Sequence, residues 1–172
     1  MRRGHAAREI SVAARQVLGR ANLEGVAVAR AKRGRRRRQY AALPLARGAD
    51  GQLLVVLVTS RETHRWIIPK GWPEKGLEPH ELAAKEAYEE AGLVGDVAPE
   101  SIGSYRYAKR LRGRKTVTCE VDVFPFMVER QLDDWPERGQ REVRWCTPEE
   151  AALLVEEGKL VAMLLELAAP NA

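Results

Sequence analysis

Three glutamates on one short segment have the spacing that binding of a divalent metal requires. Glu86, Glu89 and Glu90 fall at positions i, i+3 and i+4, so on a helix they project from one face, with Cβ atoms about 5–6 Å apart. Carboxylate oxygens are the donors that Mg²⁺ and Mn²⁺ prefer, and Mg²⁺ usually shares a few carboxylates with substrate phosphates. The spacing therefore predicts a divalent-metal site formed by these three side chains.

A solvated helix face is the alternative explanation for this spacing, and the surrounding residues weigh against it. Pro79 is typical of a first helical turn and Gly92 of the residue after the last, which bounds the helix at 79–91. The opposite face carries an apolar stripe that predicts packing on a core, formed by Ala84, Ala87, Tyr88 and Ala91. Three like charges on a packed helix repel one another, and a bound cation would neutralise them.

The segment that begins at Gly71 resembles the Nudix box, G-x5-E-x7-R-E-U-x-E-E-x-G-U, where U is a bulky apolar residue. Its matching residues, with Ala87 as a small version of U, are Gly71, Glu86, Glu89, Glu90, Gly92 and Leu93. The resemblance implies an α+β fold, the Nudix-type α/β/α sandwich with a mixed β-sheet. It also implies that a backbone carbonyl near Gly71 joins the three glutamates at the metal.

Two positions depart from the box, and two explanations of them stay open. By strict spacing the first glutamate falls on Leu77, and the arginine is replaced by Lys85. In the family these two residues are commonly described as partners, so one explanation is a coupled loss of the carboxylate and of the fork-shaped donor. In the other, a local shift of the loop gives the missing glutamate's role to Glu78.

Shorter elements extend the resemblance over roughly residues 37–168. The segment 59–71 before the box, and the Arg-x-x-Arg-Trp element that ends at Trp145, are similar to the diphosphoinositol polyphosphate and diadenosine polyphosphate hydrolases. That branch carries basic residues at the start of its first strand, where they contact substrate phosphates. In this sequence the corresponding residues are Arg37 and Arg38.

Other basic residues are concentrated where a polyphosphate would lie. Surface loops are often basic for solubility alone, but a substrate with several phosphates needs several charge-assisted contacts, which Arg can make in bidentate form. Trp72 is a candidate to stack on a base or line the pocket, and equally a packing residue. The predicted substrate-binding residues are Arg37, Arg38, Ser60, Arg61, Arg65, Lys70, Arg114 and Lys115.

The activity implied by the resemblance is metal-dependent hydrolysis of a phosphoanhydride in a nucleoside- or inositol-linked polyphosphate, of the diadenosine or diphosphoinositol type. Mg²⁺ or Mn²⁺ lowers the pKa of a bound water and offsets developing negative charge. A glutamate takes the proton, and Glu142 is the first choice outside the box, ahead of Glu120 and Asp122. Two alternatives stay open: removal of pyrophosphate from RNA 5′ ends, and a non-catalytic Nudix-fold module that binds nucleotides or nucleic acid.

The positive charge of the chain is concentrated at its N-terminal end. The 172 residues carry a net charge of +5, yet residues 1–38 contain 12 of the 29 Lys and Arg residues and 2 of the 24 Asp and Glu residues. We therefore divide the chain into a basic arm, 1–36, partly helical or disordered, and a hydrolase domain, 37–172. The arm is a solvated tail, a targeting sequence or a segment that contacts nucleic acid.

The remaining composition favours a cytoplasmic protein that acts on a small-molecule polyphosphate and has no membrane partner. No apolar run is long enough to cross a membrane. Cys119 and Cys146 lack metal-type spacing, and we expect free thiols in a reducing compartment.

Periodicity and turn residues predict strands around the box helix. The C-terminal part is expected to form two helices, one capped by Thr147 with Glu150 three residues on, and one after Gly158. The predicted strands are 39–46, 52–60, 66–69, 101–109, 115–129 and 142–146.

Overall fold

The computed structural model of the protein describes residues 37–111 and 116–169. The predicted basic arm, 1–36, lies outside these residues, as do two predicted substrate-binding residues, Arg114 and Lys115. In the part of the chain that is described, none of the helices is long and apolar enough to cross a membrane.

The described residues form eight strands and three helices. The strands are β1 (Arg37–Arg47), β2 (Leu53–Thr59), β3 (Trp66–Ile67), β4 (Lys70–Gly71), β5 (Leu93–Val97), β6 (Gly103–Arg110), β7 (Thr116–Gln131) and β8 (Val143–Cys146). The helices are α1 (Pro79–Ala91), α2 (Pro148–Leu154) and α3 (Gly158–Ala168). The predicted bounds of α1 are confirmed. Strands β4 and β5 were missed, because two and five residues are too few to show a clear alternation.

All eight strands belong to one mixed sheet, whose central path runs β3-β2-β1-β7-β5. β1 and β7 pair in parallel, while the other pairs are antiparallel. The 16-residue β7 pairs with β6 along its first half and with β5 along its second. β8 pairs with β2.

β1 and β2 diverge, and the segment after β2 fills the gap between them. β1 pairs with β2 near its C-terminal end and with β4 near its N-terminal end, while β3 pairs with the far end of β2. Pro44 lies in the stretch of β1 between these two ladders, where its missing N–H interrupts neither of them. Lys70 and Gly71 are thereby placed inside the sheet, beside Ala41 and Tyr40.

Alternating residues of the sheet form two cores, one on each face. On one face Leu43, Val55 and Tyr105 pack with residues of α2 and α3, including Ala151 and Leu160. The other core is covered by α1 and consists of Ala42, Val56, Val58, Ile67, Ala83, Ala87, Ala91, Leu93, Phe124 and Phe126. A helical layer on each face confirms the predicted α/β/α sandwich.

The buried face of α1 differs from the predicted stripe. Tyr88 is 42% exposed, so the prediction that it packs on the core is wrong, and Ala84 is only partly buried. The residues of α1 that are buried are Leu82, Ala83, Ala87, Glu90 and Ala91. Alanines at every fourth position allow the helix to approach the sheet closely, and the same rotation carries Glu90 into the interior.

Both predicted helix boundaries have visible causes. Gly92 ends α1 in the left-handed region with φ 67°, and its N–H donates to the Tyr88 carbonyl at 2.9 Å. At the start of α2 the Thr147 N–H donates to Glu150 Oε2 at 2.9 Å, and the Glu150 N–H donates to Thr147 Oγ1 at 3.3 Å. The predicted capping box is confirmed.

Gly92→Ala should destabilise the fold more than Gly76→Ala does. Both glycines have positive φ, 67° and 88°, so each alanine should cost about 1–2 kcal/mol of backbone strain. A Cβ at residue 92 would also press on the ring of Trp135, whereas residue 76 faces open space. This overlap should add about 1–3 kcal/mol. Urea unfolding measures both variants, and equal losses would contradict the packing argument.

Candidate active site

Glu86 and Gly71 meet where α1 crosses the gap in the sheet. A Cβ at residue 71 would overlap the Glu86 carboxylate, so only glycine allows the carboxylate this close to the backbone of β4. Among the described residues Glu86 has no hydrogen-bond or ion-pair partner. Burial raises the pKa of Glu86, and the nearby charge of Glu89 raises it further. Glu86 therefore places negative charge here outside any ion pair of the described residues, and the positive charge of Lys85 only partly opposes the rise in its pKa.

Glu90, one turn further along α1, is 4% exposed and is held on both oxygens. Its Oε1 accepts from Arg141 Nη2, and its Oε2 accepts from the Lys70 backbone N–H at 3.3 Å. Burial raises the pKa of Glu90, and the positive charge of Arg141 opposes that rise. Glu90 thus belongs to a buried ion pair.

Glu89 lies near Lys85, whose shorter ion pair is with Glu74. Lys85 Nζ donates to Glu74 Oε1 at 2.6 Å and lies 3.5 Å from Glu89 Oε1. Lys85 therefore keeps a carboxylate partner, Glu74, which neither explanation of the two departures from the box includes, and both explanations stay predictions. Leu77 is exposed, and the Glu78 N–H donates to Glu81 at the start of α1.

The donors near Gly71 fit a hard divalent cation in chemistry and charge. Glu86 and Glu89 supply carboxylate oxygens, the Glu86 carboxylate lies against the backbone of Gly71, and Glu86 forms no ion pair among the described residues. In the described part of the chain, no three Asp, Glu, His or Cys side chains come close enough together to enclose a metal ion. Glu90 is the member turned away, toward Arg141.

A cleft of about 390 Å³ adjoins Glu90. It contains four of the predicted substrate-binding residues, Ser60, Arg61, Arg65 and Lys70. Burial lowers the pKa of the Lys70 ammonium. The full set of cationic residues lining the cleft is Arg61, Arg65, Lys70, Lys109, Arg110 and Arg141. Such a surface complements an anion with several negative groups.

Two predicted phosphate-binding arginines in this cleft already pair with carboxylates. Arg65 Nη1 donates to Glu156 Oε2 at 2.6 Å, and its Nη2 lies 3.5 Å from Glu157 Oε1. Arg61 Nη1 lies 3.3 Å from Glu137 Oε1. A phosphate that binds either arginine must share it with these carboxylates or displace them.

Arg37 and Arg38, at the start of β1, point to different partners. Arg38 lies 3.6 Å from Asp122, one of the alternative proton acceptors. The guanidinium of Arg37 lies over the Trp72 ring at 5.8 Å, and Lys109 Nζ lies over the same ring at 4.9 Å. Trp72 therefore holds two positive groups against its ring, one of which, Lys109, lines the cleft.

Glu137 and Arg141 were not predicted from the sequence, and both contact the carboxylate cluster. Glu137 Oε2 accepts from Arg141 Nε at 2.6 Å, and the Glu137 N–H donates to the Glu89 carbonyl at 3.0 Å. The negative charge of Glu137 also raises the pKa of Glu86 and Glu90. The i, i+4 spacing of the pair was the available signal, but it lies in a loop where helical spacing was not expected.

The proton acceptors predicted outside the box, Glu142, Glu120 and Asp122, do not line the cleft. Glu142 is exposed just before β8, and its main chain exchanges hydrogen bonds with Thr59. Its side chain is not among those that line the cleft. Glu120 pairs with Arg106 at 3.1 Å. The role of Glu142 stays a prediction, and Glu137, which does not line the cleft either, is a further candidate.

The fold and the box-like segment together define the family. The NUDIX domain matches residues 36–164, so the chain belongs to the Nudix family. It is 34% identical over 103 residues to Nudix hydrolase 12, mitochondrial, of Arabidopsis thaliana, an alignment that covers 58% of this chain and 51% of that protein. The chain thus spans about half the length of this relative.

Two further comparisons bear on the branch and the fold. Diphosphoinositol polyphosphate phosphohydrolase 3-alpha of Mus musculus is 30% identical over 105 residues, covering 60% of each chain. A crystal structure of C. elegans Ap4A hydrolase superimposes with a TM-score of 0.54 at 15% identity, covering 77% of this chain and 96% of that one. At that identity the likeness concerns the fold alone. The predicted cytoplasmic location stays a prediction.

Gly71→Ala should weaken binding of a divalent cation while the fold persists. The new methyl group displaces the end of the flexible Glu86 side chain, so stability should change little and cation affinity should fall about tenfold or more. Gly48→Ala is the matched control, since its Cβ would meet the flexible side chain of Gln52. Titration calorimetry with Mg²⁺ or Mn²⁺ gives the affinities. Unchanged affinity in Gly71→Ala would remove residue 71 from the cation site.

Glu74 and Lys85 should be coupled in a double-mutant cycle. Both side chains are more than a third exposed, so Glu74→Gln and Lys85→Gln should show a coupling of only about 0.3–1 kcal/mol. The pair Glu78→Gln and Lys85→Gln is the control and should show none. Coupling to Glu78 instead of Glu74 in urea unfolding would support the explanation based on a loop shift.

Proposed function

We propose that the protein is a divalent-metal-dependent hydrolase of phosphoanhydride bonds in a nucleoside- or inositol-linked polyphosphate. The observation that carries this proposal is that a group of carboxylates lies next to a cleft lined by cationic side chains. Carboxylate charge outside any ion pair of the described residues lies at Gly71 and Glu86, and a cleft lined by six cationic side chains adjoins Glu90, one turn along α1. A divalent cation would require the first, and a polyphosphate would require the second.

Glu86, Glu89, Glu90 and the backbone at Gly71 would hold Mg²⁺ or Mn²⁺. When bound, the cation would lower the pKa of a water molecule and offset negative charge that develops on the phosphoryl oxygens. The protein contributes the fixed position of these donors. Gly71 permits the approach of Glu86, and the Lys70 N–H orients Glu90.

A second carboxylate would take the proton from the attacking water. Glu142 is the candidate proposed from the sequence, and Glu137 is favoured by its contacts, since its main chain is hydrogen-bonded to Glu89. Both Glu137 oxygens face arginines, Arg61 and Arg141. Comparison of Glu137→Gln with Glu142→Gln separates the two, because only the proton acceptor should show a large loss of kcat.

Phosphates would bind along the cationic cleft. Arg61, Lys70 and Arg65 approach it from the gap in the sheet, and Lys109 and Arg110 approach it from β6. The ring of Trp72 already carries Arg37 and Lys109, which favours a phosphate-rich group over a stacked base. This argument supports an inositol-linked substrate ahead of a diadenosine polyphosphate, and the name of the mouse relative agrees with it.

A non-catalytic module is the second candidate, because Glu90 is tied to Arg141 instead of facing Glu86. Such a module should bind polyphosphate without requiring a divalent cation. An enzyme should bind Mg²⁺ through the α1 glutamates even when no substrate is present. Calorimetry with Mg²⁺ alone discriminates between the two.

Glu86→Gln should lower kcat/KM by roughly 100-fold, because it removes from the cation site the carboxylate that forms no ion pair among the described residues. The assay is Mg²⁺-dependent phosphate release, screened over diphosphoinositol phosphates, dinucleoside polyphosphates, nucleoside triphosphates and triphosphorylated RNA. Glu166→Gln, an exposed glutamate of α3, is the control and should keep wild-type activity. Activity of Glu86→Gln within a few-fold of wild type at saturating Mg²⁺ would rule out the assignment of the metal site.

A further inference from the structure

Arg65, one of the residues that line the cleft, is paired with two carboxylates that differ in burial. Its Nη1 donates to Glu156 Oε2 at 2.6 Å, and its Nη2 lies 3.5 Å from Glu157 Oε1. The Glu156 side chain is 62% exposed, whereas that of Glu157 is 7% exposed. Both carboxylates belong to the short segment between α2 and α3, and neither lines the cleft. Arg65 is thus shared between the cleft and a segment outside it.

The main chain of Arg65 is fixed independently of these two ion pairs. The Arg65 N–H donates to Ser60 Oγ at 3.2 Å, and the Ser60 N–H donates to the Arg65 carbonyl at 2.9 Å. The next residue, Trp66, pairs with Thr59 in the sheet and packs against the core that α2 and α3 cover. A ligand can therefore replace a carboxylate on the guanidinium while the base of the side chain stays in place.

The two carboxylates differ in what their release from Arg65 would cost. Glu156 is mostly exposed and would return to water, and exposed ion pairs contribute little to stability. Glu157 has Arg65 as its only ion-pair partner among the described residues, so its release would leave a buried charge unpaired, which is costly. An anion that enters the cleft should therefore take the place of Glu156 and leave Glu157 paired.

We propose that Glu156 is an internal competitor for Arg65, which a polyphosphate in the cleft replaces on the guanidinium while Glu157 stays as the fixed partner. Phosphate oxygens accept charge-assisted hydrogen bonds from a guanidinium as carboxylate oxygens do. Lys109 and Arg110, which form no ion pair among the described residues, supply further positive charge in the same cleft. The inference rests on the proposed function for the identity of the substrate, but binding of a polyphosphate is measurable without turnover.

The test measures the Kd of inorganic tripolyphosphate by titration calorimetry, at low ionic strength and without divalent cations. Glu156→Gln and Glu156→Ala should each lower Kd by about two- to fivefold, the range expected when an exposed competing ion pair is lost. Arg65→Met should raise Kd by about tenfold, because it removes a charge-assisted contact. Glu166→Gln makes the same change of charge at an exposed position of α3. It is the control and should stay within about 1.5-fold of wild type.

Glu156→Gln in an Arg65→Met background separates competition for Arg65 from the general effect of a negative charge near the cleft. If Glu156 acts by competing for Arg65, its removal should change Kd by less than about 1.5-fold once Arg65 is gone. A gain of equal size in both backgrounds would make Glu156 a remote negative charge and overturn the proposal. Should Arg65→Met fail to fold because Glu157 is left unpaired, Arg65→Gln carries the same comparison, since its amide N–H can donate to Glu157.

Three other results bear on the inference directly. Unchanged Kd in Glu156→Gln together with weaker binding in Arg65→Met would mean that the ligand and Glu156 share Arg65, and would overturn the proposal. A wild type that does not bind tripolyphosphate would overturn it as well. If Glu156→Gln bound tripolyphosphate more tightly but the wild type hydrolysed no anhydride, the proposed function would fail, while the competition for Arg65 would be supported.

Discussion

Four carboxylates crowd around the C-terminal half of α1, and most of the ion pairs nearby compensate their charge. They belong to Glu86, Glu89, Glu90 and Glu137. Glu89 shares Lys85 with Glu74, Glu90 pairs with Arg141, and Glu137 pairs with both Arg141 and Arg61. Each of these cations is supplied by a different segment of the chain. Among the described residues, only Glu86 of this group is left without a partner, and it is the one that lies against Gly71. Glu86 is thus the one carboxylate of this group that lies outside an ion pair among the described residues.

The divergence of β1 and β2 determines where that position can be. A helix packed on one face of an unbroken sheet could not present its carboxylates to the other face. Here β3 and β4 occupy the gap between the two strands, and the Lys70 N–H reaches Glu90 from there. The cleft on the side of α2 and α3 therefore adjoins a carboxylate of a helix that packs on the opposite face.

The sequence predicted the parts of the site whose signal is local. Pro79 and Gly92 bound α1 correctly, and the spacing of the glutamates placed them together. It did not predict that Glu90 would be buried. Packing against the sheet sets the rotation of α1, which buries Ala83 more than Ala84 and thereby turns Glu90 inward. The contacts of Arg141 and Glu137 were also missed, because they depend on a loop that folds back onto α1 and the end of β2. The ion pair between Glu74 and Lys85 was not predicted for the same reason, since irregular backbone separates the two residues along the chain.

The same charges constrain which substrates the proposed reaction can use. Six cationic side chains line the cleft, and Arg61 and Arg65 already pair with carboxylates. A ligand with one diphosphate would replace few of the carboxylates that now pair with these arginines. A ligand with several phosphates could replace each of them, so that no arginine would be left without a negative partner. The rings of Tyr107 and Trp72 carry Lys70, Lys109 and Arg37, so stacking of a base there would displace a cation from an aromatic face. In the proposed reaction, discrimination between phosphate-rich and base-bearing substrates would therefore depend on ion pairs and cation–π contacts that the protein forms before any substrate binds.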